Sequence, residues 1–393
     1  MRLRTVKDAD IGGRNVIVRA DYNVPLADGQ IADDARIRAS LPTLHLLLDG
    51  GAKVTVCSHL GRPKGKHYPE LRMDPVARAL EQLLGCNVRK TKDCVGAPVH
   101  EAVEKLTPGD LLVLENLRFY PEEEANDPEF AKALAEPFDI YVNDAFATAH
   151  RAHASTSGIT HHLPSYAGLL VDREVQALSG LLVNPRRPYY VLVGGKKAED
   201  KLGVIENLLG TVNGFLVGGG VAFTFLKAQG YGVGSSVVDE SLLDTMGELL
   251  EKAKKAGTDI VLPKDVIVAE ELSPSATTKE VPTTAIPDGW MGLDIGPKTV
   301  REYSSLLENA GTVVWAGPMG AFETKPFDTG TRALAELLAD IKGYTVVGGG
   351  ETGEAVASFG MASKFGHLST GGGATLSFLQ GASMPGLEAL RAD

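Results

Sequence analysis

The sequence predicts an α/β protein of two domains, each a parallel sheet flanked by helices. Three observations carry this. The chain has 393 residues, which favours two domains over one. Short apolar runs alternate with helical patterns throughout, as expected of parallel strands joined by crossover helices. Glycine is abundant, at 45, while aromatics make up only 6%, a mixture that suits many strand-to-helix turns.

In the first half, runs 16–20, 54–58, 111–114 and 140–143 read as strands, with helix-like stretches at 36–48, 75–84 and 128–135. In the second half, 189–193, 214–217, 259–262, 312–315 and 344–347 read as strands, and 204–209, 222–228 and 242–256 as helices. The stretch 172–182 is helical, and Asn184-Pro-Arg-Arg-Pro188 breaks it. The expected division is therefore a first domain over 1–171, a hinge helix over 172–188 and a second domain over 189–378. The last residues, 379–393, are too short for a third domain and are expected to return to the first.

A net charge of −11 argues against nucleic acid or an anionic membrane as partner. The amino terminus lacks an apolar signal region, and no apolar run reaches membrane length. Cys57, Cys86 and Cys94 have no metal-like spacing. These features predict a reduced, cytoplasmic enzyme, expected to act as a monomer. Basic residues are unevenly placed: 15 of the 18 arginines lie at or before Arg187, whereas the three Gly-Gly-Gly runs all lie after it. The first half is built to grip small anions with side chains, the second to let a ligand approach its backbone.

Open parallel sheets bind ligands beyond the carboxyl ends of their strands, so the residues after each strand are the candidates. The first strand runs into Asp21-Tyr-Asn23, which reads either as two polar groups facing a ligand or as an Asx-turn. The second runs into His59-Leu-Gly-Arg62, the third into Glu115-Asn-Leu-Arg118 and the fourth into a stretch that includes Arg151 and His153. Arg36 opens a helix near the first strand's end. Arg36, Arg62, Arg118 and Arg151 together suit a ligand bearing both phosphate and carboxylate, because each guanidinium fork binds such groups bidentately.

In the second half, one strand end carries Gly194-Gly-Lys-Lys197 with Lys201 following, another leads to Glu323, and Ser369-Thr-Gly-Gly-Gly373 offers bare amides. The stretch Gly348-Gly-Gly-Glu-Thr-Gly353 matches G-x-G-x-x-G. A dinucleotide fingerprint needs an acidic residue about 20 positions on, and after Glu354 the next is Glu388. NAD is thereby disfavoured, while a nucleotide against the glycines is not. Two readings stand for Glu351: contact with a metal riding on the nucleotide's phosphates, or a charge favouring a helix N-terminus that Thr352 caps.

Taken together, the motifs resemble the phosphoglycerate kinase family over essentially the whole chain. The carrying stretches are RADYNVP (19–25), HLGRPKG (59–65), ENLRFYPEEE (115–124), VNDAFATAHRAHAST (142–156), GGKKAEDKLGV (194–204), VGGGVAFTFLKAQG (217–230), LDIGP (293–297), WAGPMGAFE (315–323), VVGGGET (346–352) and STGGGA (369–374). The resemblance implies two Rossmann-like domains that close on a hinge. It implies phosphoryl transfer between 1,3-bisphosphoglycerate and MgADP, giving 3-phosphoglycerate and MgATP.

By resemblance, Asp21, Asn23, Arg36, His59, Arg62, Arg118 and Arg151 would hold the glycerate. Lys197, Lys201, Gly292, Glu323, Gly349, Gly350, Glu351 and Thr352 would hold the nucleotide, with Glu323 on the ribose and Glu351 at the Mg²⁺. Arg36 and Lys197 would neutralise the migrating phosphoryl. Three positions depart from the family's usual pattern: Glu351 for Asp, Ala316 for Asn and Ala147 for Gly. Outside the family, the alternatives are a two-lobed binding protein or a kinase for another small carboxylate.

Overall fold

The structure, a computed structural model, describes residues 1–392. It divides into two compact units. One comprises Met1–Gln176 with the tail from Ser383, the other Ala177–Ala382. The division falls inside the helix Leu169–Val183.

The first unit holds β1 (Asn15–Ala20), a small hairpin of β2 (Leu26–Ala27) and β3 (Gln30–Ile31), then β4 (Lys53–Cys57), β5 (Val88–Lys90), β6 (Leu111–Val113), β7 (Ile140–Asp144) and β8 (Ser165–Ala167). Six of these form one sheet in the order β5-β6-β4-β1-β7-β8, with every pairing parallel. β1 reads NVIVRA, and its β-branched residues pack on both faces. Val16 and Val18 enter one core cluster with Leu44 and Leu80, while Ile17 enters another with Leu112 and Tyr141. That alternation is the two-residue pleat of a sheet covered on both sides. The helix Asp74–Leu84 covers one face and stops where Gly85 turns left-handed at φ 65°.

The tail is part of this unit's packing. Arg4 donates its backbone N–H to Leu390 O at 2.8 Å, and Leu387 and Leu390 are buried.

The second unit holds β9 (Tyr189–Val193), β10 (Gly214–Val217), β11 (Asp259–Val261), β12 (Asp265–Ala269), β13 (Lys279–Pro282), β14 (Met291–Ile295), β15 (Thr312–Ala316), β16 (Tyr344–Gly348) and β17 (His367–Leu368). Its main sheet is again six-stranded and parallel, β11-β10-β9-β15-β16-β17. The separate antiparallel sheet β13-β12-β14 is not among the elements expected from the sequence. Its strands follow one another with no helical pattern between them, so alternation of strand and helix could not mark them. Helices Ala97–Glu104, Pro297–Leu307 and Thr329–Asp340 are also additions to the expected elements. Among the described residues no helix is long and apolar enough to cross a membrane.

Both main sheets place their first strand centrally and then reverse direction beside it. The chain moves from β1 outward through β4 and returns to β7, and from β9 outward through β10 and returns to β15. Such reversals open a crevice at the carboxyl ends of the flanking strands. At the β9–β15 crevice the two chain segments nearly touch. Gly194 N–H donates to Ala316 O at 3.1 Å and Gly195 N–H to Pro318 O at 2.7 Å. Gly317 sits at φ +108°, and a Cβ there would collide with the Gly194 carbonyl. Gly317→Ala is therefore expected to lose about 1–3 kcal/mol of stability from backbone strain, and more from the clash. Gly360→Ala, at φ +73° with open space around it, is expected to lose only the strain. Thermal unfolding of the two variants decides this, and equal losses would mean that the strand ends are not in tight contact.

Candidate active site

Each unit carries its own polar face at the carboxyl edge of its main sheet. In the first unit β1 delivers Asp21, whose Oδ2 holds the Arg36 guanidinium in an ion pair. Its Oδ1 accepts the Asn23 N–H at 3.2 Å, so the Asx-turn is present and coexists with the pairing to Arg36. Asn23 Oδ1 in turn accepts the Gly61 N–H at 2.8 Å, which leaves its amide donors for other partners.

His59 follows β4 and is 3% exposed. Its Nδ1 lies 3.1 Å from Arg19 Nη2. A guanidinium can only donate, so Nδ1 accepts and the proton sits on Nε2. Burial, then the charges of Arg19, Arg118, Arg36 and His153, hold the imidazole well below its ordinary pKa. His59 thus offers an N–H donor without a charge. Arg118 is buried, donates through Nη1 to Gly61 O at 3.2 Å and lies 3.3 Å from Glu124 Oε1. Arg62 and Arg151 are exposed, and Arg151 Nε donates to His150 Nε2 at 3.2 Å. His153 is pulled down to about 4, by burial first and then by Arg118, Arg19 and Arg151.

Residues not anticipated from the sequence lie beneath this cluster. Arg19 is fully buried in β1 and donates through Nε to Ser155 Oγ at 2.8 Å. Ser155 donates its hydroxyl and its backbone N–H to Glu123 at 2.6 and 2.9 Å. Glu123 is likewise fully buried, and burial raises its pKa although Arg19 and Ser155 pull the other way. One signal for Arg19 existed: a charged residue inside an otherwise apolar strand needs a buried partner. Glu123 gave none, being one of three consecutive glutamates.

In the second unit a cavity of about 430 Å³ opens at the β9–β15 crevice. Gly292, Glu323 and Glu351 of the expected residues lie in its wall, together with Lys196. Its inner wall is apolar, with Phe223, Val266, Met291 and Leu293. Gly292 is required where it stands, because a Cβ would collide with the Phe223 ring. Lys197, Lys201, Gly349, Gly350 and Thr352 are not among the wall residues. Lys197 is exposed in the loop after β9, and Lys201 lies in the first turn of Glu199–Leu208. Burial lowers the Lys201 pKa while Asp200 and Glu351 oppose the shift, which ties Lys201 electrostatically to Glu351.

Glu351 lies in the first turn of the helix Gly350–Ser358 and is exposed. Its Oε2 would lie 3.3 Å from a Cβ on Gly195, so the carboxylate leans over the Gly-Lys loop. Thr352 does not cap this helix, contrary to one of the two readings. Gly349, at φ +94°, is the cap residue, and Thr352 Oγ accepts the Gly317 N–H at 2.7 Å. The hydroxyl is occupied in tying β15 to β16.

Asp294 is a further wall residue, and nothing in the sequence assigned it a role. Its oxygens accept the N–H groups of Gly330 and Ile295 at 2.7 and 2.9 Å. Burial nonetheless pushes its carboxyl up to about 8, with Asp328 adding to the rise. Among the described residues no three His, Cys, Asp or Glu side chains gather as an all-protein metal site.

The profile of the family described as "Phosphoglycerate kinase" matches residues 6–382. A Moorella thermoacetica protein named "Phosphoglycerate kinase" is 53% identical over 386 residues, covering 98% of both chains. "Phosphoglycerate kinase 3, cytosolic" of Arabidopsis thaliana is 51% identical, over 98% of this chain and 97% of that one. Among solved structures, the phosphoglycerate kinase of Coxiella burnetii superposes with a TM-score of 0.89 at 40% identity, over 99% of this chain and 98% of that one. End-to-end similarity of both sequence and fold, on a chain whose two sheet edges carry a cationic cluster and a glycine-walled cavity, means that it belongs to the phosphoglycerate kinase family.

Proposed function

We propose that the first unit holds the glycerate phosphate and the second the nucleotide, through the residues described above. The chain is a phosphotransferase with a carboxyl group as acceptor, and its glycolytic reaction interconverts 1,3-bisphosphoglycerate and ADP with 3-phosphoglycerate and ATP. One observation carries the assignment of faces. In a chain of net charge −11, Arg19, Arg36, Arg118 and Arg151 all act on the His59–His153 neighbourhood. That concentration of cations suits a small ligand with two anionic groups. A coupled assay with ADP and a series of acyl phosphates tests it: turnover confined to the phosphorylated glycerate supports the reading, and equal turnover of simple acyl phosphates counts against it.

The chemistry asks for alignment and charge neutralisation rather than covalent catalysis. An oxygen of the nucleotide's terminal phosphate attacks the acyl phosphorus, the bond to the acyl oxygen breaks, and the carboxylate leaves. In the reverse direction that carboxylate is already ionised at neutral pH, so no general base is needed. Asp21 keeps the Arg36 fork oriented before substrate arrives, and His59 supplies a neutral N–H. Lys197 is assigned to the phosphoryl in flight and Lys201 to the nucleotide's phosphates, with Gly349, Gly350 and Thr352 offering backbone at the helix start. Glu323 is assigned to the ribose hydroxyls and Gly292 to close approach of the base. The two ligands then have to be brought into line, for which hinge closure is the expected means.

Mg²⁺ bound with the nucleotide would neutralise phosphate charge. Glu351 fits it: a single exposed carboxylate leaning over the Gly-Lys loop suits an ion that keeps waters and phosphate oxygens as its other ligands. The protein is taken to act in the cytoplasm as a monomer, on small molecules and not on nucleic acid or membrane. Its acidic charge supports the exclusion of polyanions.

Arg36→Ala is expected to lower kcat about a hundred- to thousandfold, or about 3–4 kcal/mol, with a smaller change in KM. Steady-state kinetics check it, and a raised KM with near-normal kcat would remove Arg36 from the transition state. Glu351→Gln keeps size and loses charge. It should weaken Mg²⁺-nucleotide binding clearly, whereas a mere helix-end charge would cost only about 0.3–1 kcal/mol of stability and leave metal dependence unchanged. Titrating Mg²⁺ at saturating ADP separates the two.

Asp294 gives a pH dependence. Its raised carboxyl is mostly neutral below about 8, and above that pH an anion enters the cavity wall. Affinity for ADP should therefore fall as pH rises through this value, and Asp294→Asn should flatten the fall. Calorimetric titration on either side of that pH measures it, and identical profiles for the two proteins would exclude Asp294 as the cause.

A further inference from the structure

We infer that Asn116 is a positioning residue for the glycerate site, the bracket that fixes His59 and Arg62 relative to Arg118. The inference rests on the reading that those three residues hold the glycerate. His59 and Arg62 flank the dipeptide Leu60–Gly61, and all four backbone polar groups of that dipeptide are taken by side chains. Leu60 N–H donates to Asn116 Oδ1 at 3.2 Å, and Leu60 O accepts from Asn116 Nδ2 at 2.7 Å. Gly61 N–H donates to Asn23 Oδ1 at 2.8 Å, and Gly61 O accepts from Arg118 Nη1 at 3.2 Å. The segment lies beyond the end of β4, so no sheet ladder supports it.

Asn116 is fully buried and uses its whole hydrogen-bonding capacity here. Its second amide proton goes to Leu71 O at 2.9 Å, and its Oδ1 also accepts the Arg118 N–H at 3.1 Å. One planar amide thus ties the start of the 60–71 loop, the end of that loop and the backbone of Arg118 into a single geometry. The amide is itself held. Asn116 N–H donates to Glu115 Oε1 at 3.0 Å, and Glu115 is anchored by Lys90 Nζ at 2.6 Å and by the Met73 N–H at 2.9 Å. No other residue type supplies two donors and an acceptor for two more N–H groups at this length. A shift of the loop by about 1 Å moves two ligand-facing groups at once, and misplacement on that scale costs about a hundredfold in rate.

The test uses Asn116→Asp, which keeps size and acceptors but loses both donors, and the smaller Asn116→Ser. Both are expected to raise KM for 3-phosphoglycerate about ten- to hundredfold while leaving KM for ATP within about twofold. Leu134→Ala, a core truncation elsewhere in the same unit, controls for general destabilisation and should leave both KM values unchanged. Equal rises in the two KM values, or no rise in either, would overturn the inference.

Amide hydrogen exchange on the wild-type, ligand-free protein is a second, independent test that requires no variant to fold. Slow exchange at Leu60 and Gly61 is expected, and exchange at the rate of an open loop would overturn the bracket. Arg62→Ala tests the underlying reading separately. If it leaves KM for 3-phosphoglycerate untouched, the glycerate assignment fails and this inference with it; if it raises that KM while the Asn116 variants do not, only the bracket fails.

Discussion

Parallel pairing on both sides of one central strand is the constraint on which the rest depends. β1 pairs with β4 and β7, and β9 pairs with β10 and β15, each in parallel register. Strands that all run the same way end on the same edge, so the residues that follow them are delivered to one rim even when they lie far apart in the chain. The reversal of strand order beside β1 and β9 leaves a crevice at that rim. Asp21, His59 and Arg118 meet because of this, as do Gly194 and Gly317.

The two rims are built differently. In the first unit the charge is carried by guanidinium groups, and the cost of gathering them is met from beneath. Glu123 lies under the cluster with no exposure to solvent, linked through Ser155 to Arg19. Burial, reinforced by the same crowding of cations, lowers the pKa of His59 and His153, which avoids further repulsion and leaves each neutral ring an N–H donor. In the second unit backbone replaces side chain. Glycines at 194, 195, 219, 220 and 317 let the strand ends and the next helix approach within hydrogen-bonding distance of one another. Few fixed charges enter that cavity, and Asp294, neutral below about pH 8, adds little to them.

Backbone beside the arginine-bearing rim is also held by neutral groups. Asn23 and Asn116 hold the backbone beside His59 and Arg62, and an uncharged amide can do so without altering the field the arginines make.

The sequence by itself determined the fold class and the central strands of both main sheets, because β-branched runs and helical periodicity are local properties that burial then enforces; the short strands β5, β8 and β17 came only with the structure. The sequence also pointed to polar residues after apolar runs, of which Asp21, His59 and Arg118 gather at the first rim, whereas Lys197 and Lys201 lie outside the cavity wall at the second. The antiparallel sheet β13-β12-β14 was not legible, because its strands are not separated by the helical stretches whose alternation marked the parallel strands. Arg19 was half-legible as a charge within a strand, but its partner Glu123 was not. Which of three adjacent glutamates is buried depends on where Ser155 and β1 come to lie. Thr352 looked like a helix cap and instead binds the Gly317 N–H, and Asn116, with no local mark to single it out, holds two ends of a loop. Those partners are 35 to 56 positions away in the chain. Local chemistry says that a side chain can form a hydrogen bond, and only the tertiary fold decides with what.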